Sequence, residues 1–408
     1  MKSESTPHLV MLISQDLNSP SGLGRYFPLA KHLARQNYRV TILALHSNFE
    51  SALIRDFWDQ GVHVRYVAQM HVRKVDNSTH YFSTMDLIKT SIKATQTLKK
   101  EAMKEDPDLV LVGKPHPMNG IAGLMVARQK STPLIVDCDD YEAESNKTNS
   151  FWQKPLLRFF ENSLPNKADL ITTNTFFNKE RMKKLGIDEN KIQYLPNGVD
   201  TDRFHYISAE ELKCLRDSLV LEDNKIIAYL GSLNLKNHPV DLLIRSFAIV
   251  AQNQKNVRLL IIGGGGDMER LQGMVRELNI EESVVFTGRV QPNEINAYYQ
   301  LADISVDPVN DTLADRGRCP LKIFESWQMG VPVVTADVGD RRLLAGDPPA
   351  LALVKPGSPE ALAAELDRLI NSPSVLLALK SIAKDRAQGF DWSKISLEAK
   401  NEFDKLIA

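Results

Sequence analysis

The sequence is short of the features that would place it in a special class. Its 408 residues hold three cysteines. Cys138, Cys214 and Cys319 stand far apart with no metal-ligand spacing, and their odd number argues against a disulfide framework and for a reducing compartment. No apolar run approaches the roughly 20 residues needed to span a bilayer. The polar start, Met1 to Pro7, leads into Leu9-Val10-Met11-Leu12-Ile13, which has strand length rather than signal-peptide length. A cytoplasmic location is therefore expected. Charge of one sign is missing too. Lys and Arg number 50 against 51 Asp and Glu, a net charge of -1, and a nucleic-acid partner would ask for a clear basic excess. No low-complexity segment stands out.

What is present is the composition of an ordinary globular protein, 43% hydrophobic and 25% charged. The length suits two domains of about 200 residues. Short apolar, β-branched runs alternate with longer helical patterns. They include Leu9–Ile13, Val40–Leu45, Val62–Val67, Leu109–Val112, Leu134–Val136 and Leu170–Thr172 in the first half. In the second half they include Ile226–Leu230, Leu259–Ile262, Val284–Phe286, Ile304–Val306, Val331–Val334 and Leu351–Val354. Continuous apolar strands are expected where helices cover both faces of a parallel sheet. The fold class expected is α/β, with two Rossmann-like doubly wound parallel sheets facing across a cleft. The turn Leu195-Pro196-Asn197-Gly198-Val199-Asp200 marks the join. The expected domains are 1–198, 199–388 and a terminal helix, 389–408.

Several clusters lie where strands of such sheets end. Gly22 and Gly24 follow the first strand, where glycines let backbone approach a ligand and a helix start offers N–H groups to phosphate. A plain strand-helix turn is the simpler reading of a bare Gly-x-Gly. Gly263-Gly264-Gly265-Gly266 follows a second strand. A dinucleotide fingerprint would put an acid at the end of the next strand, but Thr287-Gly288-Arg289 stands there. Close helix-strand packing is the alternative, and NAD is not expected. Most informative is the block from Arg318 to Val334. Pro320 suits a helix start. Lys322 and Glu325 share a helical face, and Gly330 and Pro332 end the helix. Cations at a helix start suit a diphosphate, and a carboxylate one turn deeper suits a ribose diol. A surface Lys-Glu pair is the plainer reading.

Asn197-Gly198-Val199-Asp200 with Phe204, Tyr229-Leu230-Gly231-Ser232, the glycine run, Pro320-x-Lys322-x-x-Glu325 and Gly330-x-Pro332-Val333-Val334 together resemble the retaining GT-B glycosyltransferases of family 4. The resemblance covers roughly residues 8–405. It implies a nucleotide-diphosphate sugar as donor, a hydroxyl acceptor (glycan, lipid-linked sugar or small molecule), no cofactor and no bound catalytic metal. It also implies a final helix, begun near Trp392, that crosses back to the N-terminal domain. Glu325 matches the second glutamate of the family's paired motif. Gly317 stands where the first belongs, and Ser232 where an arginine is usual. The donor-binding candidates are Gly22, Gly24, Ser232, Lys236, His238, Gly264, Arg289, Arg318, Lys322 and Glu325. An epimerase of similar architecture and a non-catalytic sugar-nucleotide-binding member are the competing readings.

His116, Lys114 and Asp139 are the catalytic candidates. Lys114-Pro115-His116-Pro117 and Asp137-Cys138-Asp139-Asp140 each follow a strand. His116 falls loosely where the family carries an active-site histidine. The carboxylates read as binding sugar hydroxyls or pairing with Lys114, rather than as a manganese site. The aromatic and cationic stretch Phe151–Phe160 reads either as core or as a peripheral contact at the inner membrane face. The lysines between Lys89 and Lys104 read as a solvated helix face.

Overall fold

The computed structural model describes residues 6–75, 78–146 and 150–408, so most of the polar start lies outside the described residues. The chain forms two compact units. The first takes in Met1–Gly198, Gly317–Cys319 and Trp392–Ala408. The second takes in Val199–Arg316 and Pro320–Asp391.

The first unit is built on strands β1 (His8–Ile13), β2 (Arg39–His46), β3 (Asp56–Asp59), β4 (Val62–Gln69), β5 (Val72–Val75), β6 (Ser78–Tyr81), β7 (Leu109–Gly113), β8 (Leu134–Cys138), β9 (Leu170–Thr173) and β10 (Ile192–Tyr194). Eight of them form one sheet in the order β10-β9-β8-β7-β1-β2-β4-β3. Every pairing in it is parallel except β3 with β4. Strand β5 pairs with β6 in a separate antiparallel ribbon. Side chains alternate across a strand. Leu9, Met11 and Ile13 accordingly enter one core, and Val10 and Leu12 enter the other. Both faces being covered explains why β1 is apolar throughout. The terminal helix Trp392–Ile407 adds Trp392, Ile395, Ala399 and Phe403 to the first of these cores. The Trp392 indole donates to the Gly24 carbonyl at 3.0 Å, and the Tyr38 hydroxyl to Asp404 at 2.6 Å.

The second unit holds β11 (Lys225–Leu230), β12 (Val257–Ile262), β13 (Val284–Gly288), β14 (Ile304–Asp307), β15 (Val333–Ala336) and β16 (Leu351–Val354). Their order is β13-β12-β11-β14-β15-β16, all parallel. Each sheet thus has a point where the chain departs to both sides, between β1 and β7 and between β11 and β14. Ligands of open parallel sheets bind at the carboxyl ends beside that point.

Three differences from the sequence reading have plain causes. Strand β3 is a short edge strand bounded by Asp56 and Asp59, so it lacks an apolar run. The strand read at Val331–Val334 begins at Val333, because Gly330 and Val331 close the preceding helix. The Val331 amide donates to the Ser326 carbonyl at 2.8 Å and the Gly330 amide to Trp327 at 2.9 Å, with Gly330 at φ +69°. Finally, Gly22 and Gly24 lie within a π-helical turn, Gly22–Tyr26, and not in an open loop. A β-carbon on Gly22 would sit 2.3 Å from the Leu17 carbonyl oxygen, and its amide already donates to Ser19 Oγ at 3.2 Å.

Candidate active site

In the first unit, the turns after β1, β7 and β8 bring a buried polar cluster to the carboxyl end of the sheet. His116 precedes Pro117 at the start of the Pro117–Lys130 helix, a position where proline costs no hydrogen bond. Its Nδ1 lies 2.9 Å from Ser14 Oγ and its Nε2 lies 3.0 Å from Glu142 Oε2. The ring is thereby held between a hydroxyl and a carboxyl. Lys114 has φ +65°, a tight left-handed turn. The Asn119 amide pins it by donating to the carbonyls of Leu12, Gly113 and Lys114 at 3.1, 2.7 and 3.1 Å. From that turn Lys114 Nζ reaches Glu142 at 2.6 Å, Asp140 at 3.0 Å and Asp139 at 3.1 Å. The carboxylates therefore pair with Lys114, one of the two roles expected for them. The ammonium stands among the three oxygens that a cation would need.

Burial alone would raise the Glu142 carboxyl, but Lys114 and His116 together hold it well below the usual carboxylate range. Burial pulls Lys114 down while Asp139, Asp140 and Glu142 raise it further, so it stays an ammonium. Burial pushes Asp139 up. Beneath the cluster, Glu161 accepts the amides of Glu142 and Ala143 at 2.7 and 3.2 Å and faces Arg181 at 3.3 Å. Burial, with Glu142 adding to it, raises the Glu161 carboxyl to about 7. Arg25 grips Asp137 through two bonds of 2.8 and 2.6 Å and reaches Asn197 Oδ1 at 2.9 Å. Ser14, Glu142 and Glu161 were not singled out from sequence. Glu142 lies three residues beyond Asp139 and was within reach of the strand-end argument. Glu161 sits on a distant helix, and no local pattern marks it.

In the second unit, the turns after β11 and β12 approach each other unusually closely. A β-carbon on Gly263, at φ +142°, would fall 1.8 Å from the Gly231 carbonyl oxygen. Only glycine fits there. Gly264 has ordinary room beside Arg289 at 3.6 Å, so steric crowding does not explain it. Lys322 rises from the Leu321–Gln328 helix to the end of β14. Its Nζ lies 3.3 Å from Asp307 and 4.1 Å from the Tyr229 ring centre. It also lies 3.4 Å from where a Gly231 β-carbon would stand, so glycine there keeps the space beside the ammonium open. Glu325, one turn on, does not pair with Lys322. It accepts from the Tyr299 hydroxyl at 2.8 Å and faces Arg203 at 3.9 Å. Burial, then Glu325, pushes Tyr299 up, so it remains a donor. Ser232 and Lys236 are exposed in the following loop, and His238 is half-buried. Arg289 is exposed after β13. Arg318 belongs to the short segment of the first unit, where the Gly317 and Cys319 carbonyls accept from Asn178 and Asn197 at 3.3 and 2.7 Å.

Residues 22–203 match the family described as Glycosyltransferase Family 4, and residues 224–372 match Glycosyl transferases group 1. The chain is 26% identical over 296 residues to a D-inositol 3-phosphate glycosyltransferase of Corynebacterium aurimucosum, covering 70% of this chain and 69% of that one. It is 27% identical over 244 residues to a GDP-mannose-dependent alpha-(1-6)-phosphatidylinositol monomannoside mannosyltransferase of Mycolicibacterium smegmatis, covering 59% of this chain and 62% of that one. The sucrose-phosphate synthase of Thermosynechococcus elongatus superposes with a TM-score of 0.78 at 17% identity, over 98% of this chain and 99% of that one. With two parallel-sheet units and both family matches in chain order, the protein is a GT-B enzyme that belongs to the group 1, family 4 glycosyltransferases.

Proposed function

We propose that this enzyme is a retaining, metal-independent glycosyltransferase that takes a sugar from a nucleotide diphosphate on its second unit to a hydroxyl acceptor on its first. The observation that carries the donor half is the Lys322–Glu325 helix. Its ammonium lies beside the glycine turn at the carboxyl end of the second sheet, and its carboxyl is steadied by the Tyr299 phenol. A departing diphosphate gains negative charge, and a fixed ammonium offsets that charge where it develops. The carboxyl offers its second oxygen to a ribose diol. A nucleotide donor also agrees with the mannosyltransferase relative, whose name specifies GDP-mannose. The transfer reading stands over the epimerase and non-catalytic readings because the relatives are transferases.

For the acceptor half, the Ser14–His116–Glu142 arrangement holds an imidazole at a strand end, and Lys114 pairs with the Glu142 carboxyl that the ring faces and with Asp139. Metal independence is supported by Lys114, which already supplies positive charge to the three carboxyl groups. Retention is read as same-face attack, with the leaving phosphate taking the acceptor proton. A trapped covalent sugar-enzyme adduct would overturn that step. The donor site is tested by calorimetry with UDP, GDP and ADP on the native enzyme and on Glu325→Ala. The variant should lose about 1–3 kcal/mol of nucleotide binding, the scale of a charge-assisted hydrogen bond. Equal affinity would remove Glu325 from the site.

A further inference from the structure

A cavity of about 290 Å³ opens in the first unit beside His116. That volume lies at the small end of the range for ligand pockets. Its apolar walls include Phe82, Ile88, Ile92, Met118, Trp152 and Leu156, and His71 and His116 are among its polar members. Such a lining, apolar on most sides and with few polar groups, suits a molecule that is itself apolar along most of its length. Burial, with His116 beside it, lowers the His71 imidazole to about 4, so that ring stays neutral near pH 7. Its Nδ1 has no hydrogen-bond partner among the described residues. The polar part of the cavity thus includes two imidazoles.

The mouth is greasy as well. Tyr81, Ile88, Ile92 and Leu156 line the cavity yet are 42%, 42%, 53% and 37% exposed. Single exposed apolar residues are common and need no explanation; several converging on one opening do. Met85, Ile88 and Ile92 follow helical spacing along Thr84–Lys104, and exposed Lys89 and Lys93 stand next to that stripe. An apolar stripe flanked by lysines complements an anionic lipid surface.

We propose that this cavity receives the aliphatic tail of a glycolipid acceptor, whose hydroxyl-bearing head lies toward His116. The inference deepens the proposed function and rests on it only in placing the acceptor on the first unit. The test uses the full chain and dodecyl maltoside brominated near the end of its alkyl chain, kept below its micellar concentration. Bound in the cavity, the bromine quenches Trp152. Trp152→Phe should abolish the saturable quenching, and Ile92→Arg, at a half-exposed helix position, should weaken probe affinity about tenfold. Maltose, which has the head and no tail, should compete at least a hundredfold more weakly than unbrominated dodecyl maltoside. Quenching that survives Trp152→Phe, or an affinity unmoved by Ile92→Arg, would show the chain resting elsewhere and overturn the proposal. Vesicle binding with no saturable quenching would mean surface adsorption alone and would overturn it equally. Nucleotide binding, read separately by thermal shift, reports on the donor site, so its failure is distinguishable from failure of the tail site.

Discussion

At the level of single residues, the first-unit cluster balances opposed charges out of water. Lys114 faces three carboxyl groups, and a fourth, Glu161, lies behind Glu142. Breaking a buried pair by removing one partner typically costs about 3–5 kcal/mol, because the other is left uncompensated. Glu161 is the member that titrates in an accessible range, since its carboxyl is raised from 4.5 to about 7. The folded state therefore holds a proton more tightly than the unfolded chain between those two values. Stability from this group is full below about pH 4.5 and is lost as pH rises through 7. Over that window the loss is on the order of 3 kcal/mol. Urea unfolding at pH 5 and pH 7.5 should show this slope in the native protein and a reduced one in Glu161→Gln. Identical slopes in the two proteins would dismiss the burial argument. Such a group could not be recognised from sequence. Its shift is set by burial and Glu142, which raise it against the pull of Arg181 and two backbone amides, all brought together only by folding. By contrast, Lys114, His116 and Asp139 were legible, because strand ends of a parallel sheet are where polar residues gather for chemistry.

At the level of elements, legibility followed burial. Strands covered on both faces, such as β1, β11 and β12, announce themselves as apolar runs. Strands β3, β5 and β6 lie at an edge or in a ribbon and carry mixed residues, so their pattern is weak. The glycine run after β12 was visible, but its meaning was not. Its crowding depends on the Gly231 turn, more than thirty positions earlier in the chain. With φ +142° and a carbonyl oxygen 1.8 Å from the new methyl, Gly263→Ala must displace backbone. A change of this kind belongs with the large destabilisations, above about 4 kcal/mol. Gly264→Ala, with its nearest contact at 3.6 Å, should cost far less. Comparing the two by thermal melting separates crowding from a general aversion to side chains in that loop. Equal losses would refute the steric account.

For the whole molecule, the chain returns to its first unit from Trp392 onward. Trp392 is fully buried there, with its indole bonded to Gly24 and its ring in the same core as Leu9 and Met11. Trp392→Ala should cost about 3–5 kcal/mol, the usual range for emptying an aromatic site. The loss should fall on one unit. Hydrogen exchange is expected to quicken in β1 and β2 and to stay unchanged in β11 to β16. Uniform quickening would mean that the helix does not serve the first unit alone. The two family matches lie in separate stretches, and neither reaches the last helix.

That return has a bearing on how the protein is made. A ribosome releases β1 early, yet one wall of the core around it arrives only with residues 392–408. The second unit has all of its chain in hand by Asp391. Synthesis thus completes the later-encoded half ahead of the earlier one. The earlier half waits with greasy surface uncovered, a state that invites chaperones until residues 392–408 emerge.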